Sequence, residues 1–230
     1  MRAMSRTDPG EGTEALVAES ARGGDPTAWF DRLYRAAEAG EAVVPWDRRA
    51  PHRLLVEWAA QGHGVVEGVR ALVVGCGLGD DAEYVASLGH ETIAFDVAEA
   101  AVEGARRRFP ASDVEYVVAD VLDPPARWRE AFGFVLESLT VQSLPERLHP
   151  GAIRRVTEFV APGGTLLVIA TARDEGAPAD GPPWPLTRGE LDAFGSDGLQ
   201  PVRIEQIPDE LQPSVRRWRG EFRRVRSAAA

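Results

Sequence analysis

The chain has 230 residues, with 26 basic and 36 acidic side chains and a formal charge of −10. Every basic residue is arginine, so Schiff-base chemistry and a P-loop lysine are excluded. The negative balance argues against a non-specific nucleic-acid binder, and a single cysteine, Cys76, against a disulfide or a cysteine-based zinc site. No apolar run reaches the length that spans a bilayer. These features predict a soluble, cytoplasmic protein without a metal centre, no membrane or nucleic-acid partner, and one domain over residues 25–226 behind a loose tail at 1–24. Oligomeric state is not legible.

The first element begins at Asp25-Pro26, an N-cap residue followed by proline in the first turn, and ends at Gly40. A Pro45-Trp46-Asp47 turn leads to a second helix near 53–61, carrying Leu54, Leu55 and Trp58 on one face. Together, residues 25–66 read as a helical cap. From residue 70 onward, short apolar runs alternate with helical periods. Strands are expected at 71–74, 92–95, 114–119, 132–136 and 165–170. Helices are expected at 81–88 and 98–109, and on the face marked by Ile153, Val156, Phe159 and Val160. Such alternation predicts an α/β, Rossmann-like, mostly parallel sheet with helices on both faces. Residues 172–186 form a Pro/Gly-rich loop, and a short helix follows at 186–194. Strands at 202–207 and 215–222 would add an antiparallel hairpin, seven strands in all.

Chemistry concentrates in Gly75-Cys76-Gly77-Leu78-Gly79-Asp80-Asp81, which follows one strand and opens a helix. Asp96 ends the second strand, where a carboxylate can accept both hydroxyls of a ribose. Asp120, with Val121 and Leu122, ends the third, where an adenine could be held. All three features point into one crevice at the carboxyl ends of the strands. A dinucleotide loop needs glycine where Asp80 stands, and two carboxylates at a helix N-terminus repel a pyrophosphate. They suit a ligand with an ammonium group and no phosphate, which favours S-adenosylmethionine over NAD.

From Trp29 to about Arg224 the sequence resembles the class I S-adenosylmethionine-dependent methyltransferases, in particular the thiopurine and halide/thiol methyltransferase-like group. The glycine loop, Phe95-Asp96-Val97-Ala98, Ala119-Asp120-Val121-Leu122, Leu144-Pro145 and Pro162-Gly163-Gly164 carry the likeness. So do Pro45-Trp46-Asp47 and the Pro182-Pro183-Trp184 stretch. One position departs: where the family begins its fourth strand Phe-Asp, this chain has Phe132-Gly133.

The resemblance implies methyl transfer to a small-molecule sulfur, halide, oxygen or nitrogen acceptor, with Trp46 closing over the cofactor. The implied cofactor surface is Trp46, Gly75, Cys76, Gly77, Gly79, Asp81, Asp96, Val97, Asp120, Val121, Leu122 and Glu137. Glu137 could also serve as a base, although a strand-end carboxylate that caps backbone explains it as well. Thr140, Gln142 and Trp184 are expected beside the acceptor, and residues 172–186 could form a lid. His52, His63 and His90 read as exposed loop residues and His149 as a surface cap. The arginine run 216–226 reads as the solvated side of a terminal strand. A non-catalytic S-adenosylmethionine-binding protein and a nicotinamide oxidoreductase remain as alternatives.

Overall fold

In the computed structural model, residues 26–62, 68–179, 181–210 and 212–226 are described; the tail at 1–24, His63 and the end of the 25–66 segment lie outside them. Seven strands form one sheet: β1 (Arg70–Val74), β2 (Glu91–Asp96), β3 (Glu115–Val118), β4 (Phe132–Ser138), β5 (Val160–Thr171), β6 (Leu199–Pro208) and β7 (Arg216–Arg224). Their spatial order is β3-β2-β1-β4-β5-β7-β6. The first five run parallel, and β7 is antiparallel to both β5 and β6.

The sheet is buried on both faces because its central strands carry apolar residues on both sides. Leu72, Val74, Val135, Leu166 and Val168 pack on one face with helix α5 (His149–Glu158) and α6 (Arg188–Asp192). Ala71, Val73, Leu136, Leu167 and Ile169 pack on the other, with α2 (Arg53–Ala60), α3 (Asp80–Ser87) and α4 (Glu99–Arg108). Helix α1 (Ala28–Glu38) lies outside α4, where Trp29, Leu33 and Tyr34 cover Ala98, Ala100 and Ala101.

The structure corrects the reading of the C-terminal arginines. The antiparallel pair enters the sheet with β7 inside and β6 at the edge, so β7, although last in the chain, is not an edge strand with a solvated side. Arg219 and Arg224 are accordingly buried. Arg219 is paired with Glu205 at 2.8 Å, while Arg224 donates to the Thr157 carbonyl. Gly133 also has a steric reason: a Cβ there would stand 2.3 Å from Val69 Cγ1, so the family's aspartate would displace the residue leading into β1.

Candidate functional site

A cavity of about 460 Å³ opens at the carboxyl ends of the parallel strands, beneath the segment that joins α1 to α2. Its floor is the turn after β1. Gly75, Gly77 and Gly79 have φ of +62°, +52° and +96°. A Cβ on Gly75 would stand 2.2 Å from Thr140 Oγ1, and one on Gly79 2.5 Å from the Tyr116 hydroxyl. Thr140 occupies that space to donate to the Val74 carbonyl at 2.8 Å. Cys76 is a small buried side chain within the same turn, and burial pushes its thiol up, which suits packing rather than nucleophilic attack.

Asp96 holds the loop in shape. Its Oδ2 accepts the Gly77 N–H at 2.9 Å and its Oδ1 the Ala98 N–H at 2.9 Å. Burial pushes this carboxyl up, and the backbone donors pull it partly back. Each oxygen keeps further acceptor capacity toward the cavity that Asp96 lines. Val97, Ala119, Asp120 and Val121 line the same end, with Asp120 Oδ1 accepting the Leu122 N–H at 2.8 Å.

Trp46 lines the cavity beside the glycine turn, its Nε1 3.9 Å from where a Cβ on Gly77 would stand. Its Nε1 donates to the Tyr34 hydroxyl at 2.7 Å, and its ring meets those of Trp29 and Tyr34 edge-on, centroids 6.1 Å apart in both cases. The sequence reading missed Tyr34, although it sits on the same apolar stripe of α1 as Trp29, Phe30 and Leu33. Its hydroxyl would be 3.0 Å from a Cβ on Gly77, so it closes directly on the glycine loop.

Two acids behave differently from their sequence reading. Arg108 bridges Asp80 at 2.7 Å and Asp47 at 2.8 Å, so Asp80 does not confront a ligand as a free charge. Asp81 Oδ1 accepts the backbone N–H of His52 at 2.6 Å. The preference for a phosphate-free ligand stands on a wider base. The cavity is lined by Asp47, Asp80, Asp81, Asp96 and Asp120, and its two lining arginines, Arg48 and Arg217, come from the cap and β7.

The structure does not bring every expected residue to the cavity. Glu137, fully buried, is not on its wall: it shares a face of β4 with Val135, toward α5, and its Oε1 accepts the Thr140 and Val141 N–H groups at 2.8 and 2.9 Å. Burial pushes its carboxyl up to about 7. Leu122 packs into the core beside Gly151. Trp184 folds its ring over Gly181 and donates its backbone N–H to the Gln142 carbonyl at 2.6 Å, leaving Pro182 and Pro183 on the wall. Thr140 and Gln142 do line the cavity, and Gln142 Oε1 accepts the Thr171 N–H at 2.5 Å.

The histidine expectations are overturned too. His52 is buried and caps α2, Nδ1 accepting the Leu54 N–H at 3.2 Å. His90 is buried, stacked on Phe134. His149 is fully buried between Glu190, 2.6 Å from Nδ1, and the Leu144 carbonyl, 2.8 Å from Nε2. Among the described residues no cluster of His, Cys, Asp and Glu is placed to hold a metal, and no helix is long and apolar enough to cross a membrane.

The profile of a methyltransferase domain matches residues 71–164, which run from β1 into β5. A 2-heptyl-1-hydroxyquinolin-4(1H)-one methyltransferase of Mycobacteroides abscessus is 27% identical over 205 residues, covering 84% of this chain and 88% of that protein. A probable thiol methyltransferase 2 of Arabidopsis thaliana is 25% identical over 194 residues, covering 84% and 78%. In fold, the chain is similar to a 1,6-didemethyltoxoflavin-N1-methyltransferase of Burkholderia thailandensis solved with bound S-adenosylhomocysteine. The TM-score is 0.66, identity is 16%, and 98% and 93% of the two chains are covered. The glycine cradle, buried Asp96 and aspartate-rich lining fit S-adenosylmethionine, a cation without phosphate. The chain carries a methyltransferase domain and is an S-adenosylmethionine-dependent methyltransferase of small molecules.

Proposed function

We propose that the acceptor is a small heteroatom nucleophile that enters already ionised, such as a thiolate or the oxyanion of an N-hydroxy heterocycle. One observation carries this reading: among the described residues, the acceptor side of the cavity has no carboxylate free to act as a base. Ser138, Leu139, Thr140, Gln142, Ser143, Leu144, Thr171, Pro182 and Pro183 form it, while Glu137 is turned toward α5 and engaged by backbone. The relatives named for thiols and for a hydroxyquinolinone support the same class.

Bound S-adenosylmethionine supplies a methyl group on a sulfonium, whose departure leaves the bonding electron pair on a neutral thioether. The protein's part is to hold two reactants in line and keep water out. In this reading Asp96 accepts the ribose hydroxyls, with Asp120, Val97 and Val121 around the adenine. The glycine turn with Cys76 and Asp81 faces the amino-acid end, and Trp46 with Tyr34 covers the sulfonium. A cation–π contact of that kind contributes about 0.5–2 kcal/mol. Residues 26–62 form the cap. Residues 172–179 and 181–186 form a lid, held to the acceptor loop by the Trp184 backbone N–H on the Gln142 carbonyl and by Arg173–Glu146 at 2.5 Å. A cytoplasmic location accords with the single cysteine.

The test is a mass-spectrometric screen with labelled cofactor of 4-nitrobenzenethiol, thiocyanate, 1-hydroxyquinolin-4-one and neutral arylamines. Methylated thiol or N-hydroxy product supports the reading. Methylation confined to the amines, or none at all, refutes it.

A further inference from the structure

His52 is a cavity-lining side chain whose hydrogen bonding is incomplete. Its Nδ1 accepts from the Leu54 N–H, so in the neutral ring the proton sits on Nε2. That Nε2 is shut off from solvent and has no hydrogen-bond partner among the described residues. A buried donor left unmatched is unfavourable, and an apolar residue would avoid the loss. Capping α2 does not require it, because serine, threonine or asparagine caps a helix better than histidine.

The surroundings say what could match it. Arg48 from the cap and Arg217 from β7 line the same cavity. Arg48 is exposed and makes no ion pair or hydrogen bond among the described residues. Arg217 is held by Asp209 at 3.0 Å and by the Thr171 hydroxyl, so it is fixed in place. Burial, with Arg48, Arg217 and Arg53 nearby, lowers the imidazole to about 4, against the opposing pull of Asp209. The ring is therefore neutral near pH 7 and remains a donor at one nitrogen. Asp81, the other carboxylate at this point, is engaged by the His52 backbone N–H.

We propose that His52 is the residue that recognises the methyl acceptor, donating its Nε2–H to a small organic anion whose charge is met by Arg217 and Arg48. This rests on the reading of an ionised acceptor and adds the residue that selects it. Such an anion brings its own lone pair and has no proton to lose, so a neutral histidine that is a poor base is the right partner. A neutral amine would leave Arg48 without a counter-charge and offer no charge to the Nε2–H.

The decisive probe is 4-nitrobenzenethiolate, with binding measured by calorimetry on the S-adenosylhomocysteine complex and turnover measured separately. His52→Asn keeps a helix-capping side chain but cannot reach with a donor at the Nε2 position. We expect thiolate affinity to fall about tenfold or more. S-adenosylmethionine affinity should hold within twofold, and KM for the thiolate should rise more than kcat falls. His52→Phe guards against a helix-cap artefact and should show the same loss, provided its melting curve is cooperative. Unchanged thiolate affinity in a folded variant overturns the assignment, as does failure of the wild type to bind 4-nitrobenzenethiolate, thiocyanate and 1-hydroxyquinolin-4-one alike. Binding that depends on His52 without any turnover would instead refute the reading of the reaction while leaving the recognition role intact.

Discussion

Asp81 Oδ1 accepts the backbone N–H of His52 at 2.6 Å, so the first turn of the glycine-loop helix and the start of α2 form one unit. The bond reaches across 29 residues and fixes the cavity's roof to its floor. Asp81→Ala removes a charge-assisted hydrogen bond worth about 1.5–3 kcal/mol. The expected result is a melting temperature lower by roughly 4–8 °C and weaker S-adenosylmethionine binding, read by calorimetry and titration of the same sample. A change in neither would show that the two helices are held together by packing alone.

Asp96 shapes the Gly77 turn and also lines the cavity. Asp96→Ala should weaken S-adenosylmethionine binding about tenfold or more, since one such hydrogen bond exceeds the 1.4 kcal/mol that makes a decade. Asp96→Asn, which keeps one acceptor for the backbone, should fold better than the alanine variant and still bind weakly. Equal affinity in wild type and Asn variant would remove Asp96 from the ligand contact.

The Arg108 bridge ties Asp47 of the cap to Asp80 of α3. All three side chains are partly solvated, so after screening the bridge contributes about 1 kcal/mol. Arg108→Met should lower stability by that order in dilute buffer and by less at high salt. Arg108 holds the Asp47 carboxyl below its ordinary 3.8. Stability from a depressed carboxyl is present above the unfolded pKa and lost as pH falls through the folded one. The gap between wild type and variant should therefore be full at pH 6 and fade below pH 4, as denaturant titrations at several pH values would reveal.

Glu137 has the opposite sign. Its carboxyl is raised to about 7, so between roughly pH 4.5 and 7 the folded state holds a proton that the unfolded state has released. Stability should fall across that window, by about 1 kcal/mol per pH unit, and level off above 7. Glu137→Gln keeps an oxygen for the Thr140 and Val141 N–H groups and should lack this slope. If the rate of methyl transfer also survived in Glu137→Gln, its role as a base would be closed.

Much of the fold was legible because its signals are local. Alternating apolar runs marked the parallel strands, and the glycine turn, Asp96 and Asp120 marked the strand ends where the cavity lies. What failed was sidedness. Glu137 and Ser138 are neighbours, and one residue of register decides which of them meets the cavity. Nothing in Glu-Ser-Leu-Thr announces that Ser138 is the one. His52 was misread because a histidine N-cap is uncommon, and its burial comes from contacts far along the chain. Arg108 reaches 61 residues back to Asp47, which no spacing rule anticipates. The resemblance implied Trp184 as a lining residue, but its ring found a nearer surface on Gly181.

The same cavity wall carries aspartates and, from the cap and β7, arginines. With the ionised acceptor proposed above, a sulfonium and an anion would meet in that enclosure, and their reaction would cancel both charges. The thioether and the methylated molecule that result would have lost what attracted their parents. Such an enclosure would retain reactants in preference to products, giving product release a driving force of its own.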